Sequence, residues 1–207
     1  MSASDAGPRF IVPLSMIVLL AVVAAPAQLR AAEAERLDHA GQLGLSVMPG
    51  AGFRMIVRYN EQQTCIDAKG PDSKWICTND VPVFADLGFS FGLTSRYDLL
   101  ADLRFGIARE DALGVSRQFA LAPGLRIWLD RDGAWKFYTT LQLVYDHTKQ
   151  SQDAVEDTDY GLRNANGLMY DPMRNLGIFV QLGETFGFRR WFRLEIDVGV
   201  GVQVRFP

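Results

Sequence analysis

Apolar and polar residues alternate without interruption along the last part of the chain. From Phe192 to Phe206 every even-numbered residue is apolar, and from Arg193 to Arg205 every odd-numbered residue is charged, an amide or glycine. A period of two is that of a β-strand with two unlike faces. The pattern therefore predicts one long strand whose apolar face lies against a protein core or against lipid.

The same alternation recurs upstream and predicts eight strands, arranged as four hairpins. Pro49, Gly50 and Ala51 are predicted to form the turn of the first hairpin, and the segment 130–133 carries the turn signal of the third. The predicted strands are residues 42–48, 53–60, 83–93, 99–107, 119–129, 135–145, 176–186 and 192–206.

The predicted connections alternate between short and long. The odd-numbered connections are tight, whereas the even-numbered ones span residues 61–82, 108–118 and 146–175 and are polar. We expect the short turns at one end of the sheet together with both termini, and the long loops at the other end. An even number of strands closes the sheet without exposed edges, which lipid requires because it cannot hydrogen-bond a free backbone. The predicted fold is all-β, an eight-stranded antiparallel up-and-down transmembrane β-barrel.

The polar face of the predicted strands distinguishes a membrane barrel from a soluble barrel of the lipocalin type, whose apolar face would be inside. This face is rich in glycine, which weakens a water-exposed strand but fits a narrow lumen. Basic and acidic residues of the same parity nearly balance, so we predict that they pair across the lumen. The predicted lumen ion-pair residues are Asp86, Asp102, Arg104, Arg126, Lys136, Arg193, Glu195, Asp197 and Arg205.

Aromatic residues are predicted to flank an aliphatic band, as the two interfacial belts of a membrane barrel do. The residues expected near the short turns are Phe53, Trp135, Phe137, Phe186 and Phe192. Those expected near the long loops are Tyr59, Phe119 and Tyr145.

The N-terminal segment has the features of an export signal. A short polar stretch is followed by the apolar residues 10–25, and Ala25-Pro26-Ala27 fits the small-x-small cleavage pattern. An uncleaved anchor is the alternative, but Pro13 interrupts the apolar run, which is shorter than the roughly 20 residues of a spanning helix. We predict cleavage after Ala27, or alternatively after Ala32 or Ala34.

The predicted organisation has three parts: a signal peptide over residues 1–27, a periplasmic lead-in over residues 28–40, and a barrel over residues 41–207. The formal net charge is −3, and no basic tract indicates nucleic-acid binding.

Both cysteines of the chain, Cys65 and Cys77, fall in the first long predicted loop. In an exported chain such a pair predicts a disulfide, with two free thiols as the alternative. Trp75 lies inside the loop that this disulfide would close and is a candidate contact residue for a ligand; packing against the barrel rim is the other interpretation.

The pattern over residues 41–206 resembles the small eight-stranded outer-membrane barrels of the OmpA/OmpX type, and more loosely the outer-membrane β-barrel or porin-like family of Gram-negative bacteria. The final strand, which ends on Phe206, is similar to the C-terminal signal read by the barrel-insertion machinery, although Pro207 follows where the family usually ends on the aromatic residue. The resemblance implies an outer-membrane location with external loops and periplasmic termini. It also implies contact with lipid and lipopolysaccharide, recognition by the insertion machinery, and a monomer.

Three classes of function fit such a barrel. The favoured one is a non-enzymatic barrel with a structural role, or a binding or adhesion role carried by its loops, and with a lumen plugged by side chains. The alternatives are a narrow channel for small solutes and an enzyme that modifies lipid or lipopolysaccharide. His147, with Asp146, Ser116 and Ser151 nearby in the predicted topology, is a candidate hydrolytic cluster or simply a hydrated histidine at the rim. No motif assigns catalytic residues, a metal or a cofactor, and no external ligand can be named.

Overall fold

The computed structural model describes residues 39–57, 76–107, 118–130, 133–147, 158–189 and 192–207, without the side chains of 56, 57, 76–80 and 82. Within these residues there is no helix that is long and apolar enough to cross a membrane. The described strands are β1 (Leu43–Val57), β2 (Ile76–Gly92), β3 (Tyr97–Gly106), β4 (Phe119–Trp128), β5 (Trp135–Asp146), β6 (Asp159–Met173), β7 (Leu176–Gly187) and β8 (Phe192–Phe206).

The strands form a closed barrel. Each strand pairs antiparallel with its neighbours in chain order, and β1 also pairs with β8, with Leu43 opposite Phe206 and Val57 opposite Phe192. Closure leaves no strand edge with free backbone donors and acceptors. The predicted all-β, eight-stranded antiparallel up-and-down barrel is confirmed.

The predicted first hairpin is wrong, because Pro49 to Ala51 lie inside the continuous strand β1. The ladder tolerates the proline by becoming irregular around it. The pairing with β8 skips Met48 and Pro49, and the register with β2 shifts between Gly50 and Gly52. A proline has no N–H to donate, so it is accepted in a strand only where the ladder is interrupted or bulged.

The predicted long loop over residues 146–175 is also wrong, because half of it is β6. Its outward positions include Asn164 and Asn166, whereas the outward positions of the other strands are mostly apolar. Apolar and polar residues therefore do not alternate along β6, although its side chains still point alternately inward and outward. One strand too many near the N-terminus and one too few here leave the predicted total of eight unchanged.

These two corrections decide which connections lie at which end. The connections 58–75, 107–118 and 147–158 leave from one end, called here the loop end. The connections 93–96, 129–134 and 174–175 lie at the opposite end with both described termini, called here the terminus end. The even-numbered connections, not the odd-numbered ones, are thus the short ones at the terminus end. The last connection, 188–191, is short but lies at the loop end, where the prediction did not place it.

The outer face of the barrel is apolar over most of its height. Outward side chains such as Leu45 and Val198 are about half exposed, at 47% and 52%. Trp135 and Phe137 lie at the terminus end as predicted, and Phe119 and Tyr145 lie at the loop end. Phe53, Phe186 and Phe192 lie at the loop end instead of the predicted turn end, because β1 is continuous and the last turn is at the loop end. Tyr59 lies outside the described residues.

Candidate functional site: the charged lumen

The inward face of the barrel carries buried charged side chains from every strand except β7, as far as the structure describes them. Strand alternation places these residues on one face, and closure of eight strands brings opposite walls within reach of long side chains. Because each buried charge must be compensated, the contacts among these side chains determine what the lumen can do.

Arg104 of β3 is the centre of the lumen network. Its Nε and Nη2 donate to the two carboxylate oxygens of Asp86, its register partner on β2, at 2.8 Å each. Its Nη1 donates to Oε1 of Glu195 at 2.8 Å and to Oδ2 of Asp197 at 3.1 Å. The guanidinium also lies 3.7 Å from the ring centroid of Phe84. One side chain thereby joins β3 to β2 and, across the lumen, to β8.

Two further arginines complete this central cluster. Arg54 donates through Nε and Nη2 to Oε2 of Glu195, at 3.0 and 2.8 Å. Arg163 donates through Nη2 to Oδ1 of Asp197 at 2.7 Å and through Nη1 to the hydroxyl of Thr185 at 3.0 Å. Glu195 and Asp197 are therefore each bound by two guanidinium groups, which compensates their removal from water.

A second cluster lies at the loop end. Nη1 of Arg193 donates to Oδ2 of Asp146, and its Nη2 lies 3.8 Å from Oδ2 of Asp159. The Asp159 side chain also accepts from the backbone N–H of Arg189 at 3.0 Å, in the last connection. The three strands β5, β6 and β8 are thus joined just below the long connections.

A third cluster, nearer the terminus end, combines charge with aromatic rings. Asp98 accepts a hydrogen bond from Nε1 of Trp128 at 3.0 Å and lies 3.6 Å from Nη1 of Arg126. The Arg126 guanidinium lies 4.8 Å from the ring centroid of Tyr138 and 5.2 Å from that of Trp128. This cation is stabilised largely by ring faces and a single carboxylate.

The base of the lumen is closed around Asp171. Its carboxylate is bound by Nζ of Lys136 at 2.9 Å, by Nη2 of Arg205, and by Nε2 of His39 at 3.0 Å. His39, which the sequence places in the lead-in, is only 4% exposed, and its ring packs edge-on against Trp128. A side chain that precedes β1 in the sequence is therefore part of the barrel interior.

The His39 ring contacts two neighbours of opposite charge. Its Nε2 lies 3.0 Å from both Nζ of Lys136 and Oδ2 of Asp171, so the position of one proton decides whether it accepts from the lysine or donates to the aspartate. Burial lowers the pKa of His39 below the ordinary value of 6.5; the hydrogen bond to Asp171 opposes this shift, and the charges of Arg205 and Lys136 add to it.

We expect this depressed pKa to make stability depend on pH. The unfolded chain binds a proton at His39 below about pH 6.5, while the folded barrel resists it, so the free energy of unfolding should fall as the pH drops from 6.5 towards the folded pKa. Urea titrations between pH 7.5 and 5 should show a shallower pH dependence for His39→Gln than for the parent chain. Equal slopes for the two proteins would contradict the prediction.

An apolar layer packs inside the lumen against the charged clusters and shares Trp128 and Tyr138 with the third cluster. Its buried members are Met48, Val81, Phe84, Trp128, Tyr138, Met169 and Phe179. Phe179 lies opposite Gly201 and Tyr138 opposite Gly167 in the strand registers. A Cβ at either glycine would stand within 3.0 Å of three atoms of the facing aromatic side chain, so the glycines provide the space that these side chains occupy. Beside Arg104 and Gln142 a cavity of about 20 Å³ remains, room for about one water.

The structure brings eight of the nine predicted lumen residues into ion pairs, and it places the ninth differently. Asp102 accepts from Nε2 of Gln142 at 2.6 Å, a neutral donor that also bonds the carbonyl of Ala122. The sequence interpretation missed Arg163 and Asp171 because β6 was not predicted. It missed Asp98 as a lumen residue because the residue was assigned to a turn, and His39 because no alternation precedes β1.

The remaining predicted residues lie away from the lumen network. Phe206 ends β8 at the terminus end with an outward, 47% exposed ring. Cys77 is in β2 opposite Ile56, not in a loop. Cys65 and Trp75 lie outside the described residues, so the disulfide and the contact residue stay predictions.

The candidate hydrolytic cluster is not assembled by the described residues. Asp146 points into the lumen towards Arg193, whereas Nδ1 of His147 lies 3.4 Å from the hydroxyl of Thr158 and its ring stacks on Tyr145. Ser116 and Ser151 lie outside the described residues. In the described parts of the chain, no three His, Cys, Asp or Glu side chains are grouped as metal ligands would be.

Comparison with known proteins supports the fold alone. No protein-family model matches the sequence, and no curated protein matches it. Among solved structures, the chain is similar to the N-terminal β-barrel domain of Pseudomonas aeruginosa OprF, with a TM-score of 0.55 and 12% identity over 81% of this chain and 98% of that one. It is similar to Neisserial surface protein A, with a TM-score of 0.54 and 10% identity over 81% and 98%. It is also similar to the outer-membrane protein OprG of Pseudomonas aeruginosa, with a TM-score of 0.50 and 12% identity over 83% and 99%. In fold, the protein is a small eight-stranded barrel of the outer-membrane, OmpA/OmpX-like type.

Proposed function

We propose that the protein is a non-enzymatic outer-membrane barrel of a Gram-negative bacterium, with a structural role or a binding role carried by its long connections. The observation that carries the proposal is the lumen: four ion-pair clusters and an apolar layer lie inside a closed eight-stranded sheet. Paired charges and packed rings stabilise the barrel as a scaffold. The described lumen side chains do not form the continuous row of hydrated groups that a permeating solute would need.

The outer surface supports a location in lipid. Aliphatic side chains exposed to about half their area form a band between two sets of exposed aromatic residues. In water such a surface would favour aggregation, whereas in a bilayer it is solvated by acyl chains, with aromatic rings at the headgroups of lipid and lipopolysaccharide. Phe206 at the end of β8 would then be the residue read by the insertion machinery.

The two ends of the barrel differ in a way that supports external loops and periplasmic termini. Three connections of a dozen residues or more leave the loop end, while the terminus end carries only short turns and the described chain ends. We assign the long connections to the outside of the cell, where they can contact a ligand or another cell. Cleavage of the signal peptide after Ala27, Ala32 or Ala34 would keep His39 in the mature chain, at the base of the lumen. The cysteine pair and Trp75 would be part of this external surface.

The proposal predicts a barrel that does not conduct ions. Purified protein inserted into planar bilayers should show no discrete current steps at 100 mV, while a general porin in the same bilayers should show them. Regular current steps from the parent chain would instead support the narrow channel. The same preparation should migrate differently on a detergent gel before and after heating, since only the folded barrel resists the detergent.

The binding role is tested by shortening the loops. A chain in which 58–75, 107–118 and 147–158 are replaced by four-residue turns, like the native connection 188–191, should still fold and remain heat-modifiable. Adhesion of cells that display this chain to immobilised matrix proteins should fall to the level of cells without the protein. If cells with the parent chain and cells with the shortened chain adhere equally well, the binding role of the loops is contradicted and only the structural role remains.

A further inference from the structure

The apolar outer face is interrupted at mid-height by four polar side chains on neighbouring strands. Thr139 of β5, Asn164 and Asn166 of β6, and Glu184 of β7 occupy outward positions and are called here the mid-band polar patch. In the registers, Thr139 is opposite Asn166 and Asn164 is opposite Glu184, so the four side chains form one contiguous surface.

The patch lies where a lipid-facing barrel is expected to be most apolar. Along β6 it falls midway between Tyr160 and Tyr170, and along β7 Glu184 lies between Leu182 and Phe186. Among the outward strand positions whose side chains the structure describes, Glu184 is the one Asp, Glu, Lys or Arg residue. Polar groups facing the hydrocarbon region are costly and are usually retained because they have a partner.

The hydrogen bonds within the patch leave specific groups for such a partner. Asn164 is engaged, since its Nδ2 donates to the carbonyl of Thr140 at 3.0 Å and its Oδ1 accepts from Nδ2 of Asn166 at 3.0 Å. The second N–H of Asn166 and its carbonyl remain, and no described group donates to the Glu184 carboxylate. The patch thus presents an amide donor and a carboxylate acceptor side by side, facing lipid.

We propose that this face binds a second copy of the chain, with the two copies related by a twofold axis through the patch. Across such an axis the Asn166 amide of each copy donates to the Glu184 carboxylate of the other, so one patch supplies both halves of the contact. Leu141, the register partner of Asn164, is 59% exposed and lies beside this short side chain, so it can pack against the same face of the other copy. Acyl chains could satisfy none of these polar groups. The inference departs from the expected monomer and rests on the proposed location in lipid.

Cross-linking in membranes tests the contact. Leu182 is outward, next to the patch and opposite Asn166, so Leu182→Cys should give a product of twice the chain mass with a short bismaleimide. Leu87→Cys is the matched control, because it is outward on β2, four strands from β6 in either direction around the barrel. The parent chain, with Cys65 and Cys77, provides the background. Equal products from both variants, or a product with the mass of another protein, would overturn the proposal.

Substitutions in the patch test the chemistry. Glu184→Leu, alone and with Asn166→Leu, should raise the dissociation constant measured in lipid vesicles at least tenfold, whereas Glu184→Gln keeps an acceptor and should retain most of the association. All three variants should remain heat-modifiable, since none of them changes a lumen residue. A parent chain that is inserted and heat-modifiable but monomeric at every protein-to-lipid ratio would refute the dimer alone; a chain that does not insert would refute the proposed location.

Discussion

Replacing Arg104 by glutamate is expected to lower the free energy of unfolding by about 3–5 kcal/mol, the range found when a buried ion pair is broken. The reversal removes the donor that binds three carboxylates and leaves a fourth carboxylate beside Asp86, Glu195 and Asp197 in a confined space. Urea unfolding in lipid vesicles, followed by tryptophan fluorescence, measures the loss. Arg96→Glu, the same change at an exposed turn residue, is the control and should shift the midpoint little.

The paired reversal separates a specific contact from general charge balance. Arg104 and Asp86 are register partners joined by two parallel hydrogen bonds, so Arg104→Asp with Asp86→Arg should recover part of the lost stability. Recovery should be incomplete, because the relocated guanidinium no longer reaches Glu195 and Asp197 in the same geometry. An unchanged midpoint for Arg104→Glu would show that these side chains are solvated and would favour the channel interpretation.

Replacing Gly201 by valine is expected to cost about 1–3 kcal/mol or more, as overpacking does in a well-filled core. The new Cβ would stand within 3.0 Å of three atoms of the Phe179 ring, which is buried among the apolar layer and cannot move outward through the sheet. Unfolding in the same vesicle assay measures the loss. Ala85→Val adds similar volume to the outer face of β2 and should be close to neutral.

A second substitution identifies the cause of that loss. If the clash with the ring is responsible, Phe179→Ala should be much less harmful in the Gly201→Val background than in the parent chain, a favourable coupling in a double-mutant cycle. Additive losses would mean that Gly201 is required for its backbone and not for the space above it.

Strand periodicity allowed much of the fold to be predicted. The bounds of β8 match the prediction because Phe192 to Phe206 alternate without a fault, and the predicted β3, β4 and β5 differ from the observed strands by one or two residues at their ends. The correct total of eight, however, combines two errors. A Pro-Gly pair signals a turn in most contexts, and only the interrupted ladder with β2 and β8 lets β1 run through it.

β6 shows the limit of the hydrophobic pattern more clearly. Period-two alternation identifies a strand only when its two faces meet different surroundings, and outward Asn164 and Asn166 remove that contrast. With β6 assigned to a loop, Arg163 and Asp171 could not be placed in the lumen. The residues that hid the strand are the same ones that form the mid-band polar patch.

The sequence by itself determined which face the charged residues of the correctly predicted strands would occupy, because side-chain direction in a strand depends only on parity. Which charges meet was decided by the tertiary structure, since partners such as Arg104 and Glu195 lie on strands far apart in the chain and are joined only by closure and register. Asp102 shares the inward parity, yet register places Gln142 and not a cation against it. His39 lies before any alternation, and only the folded barrel provides the buried site beside Asp171 that it occupies.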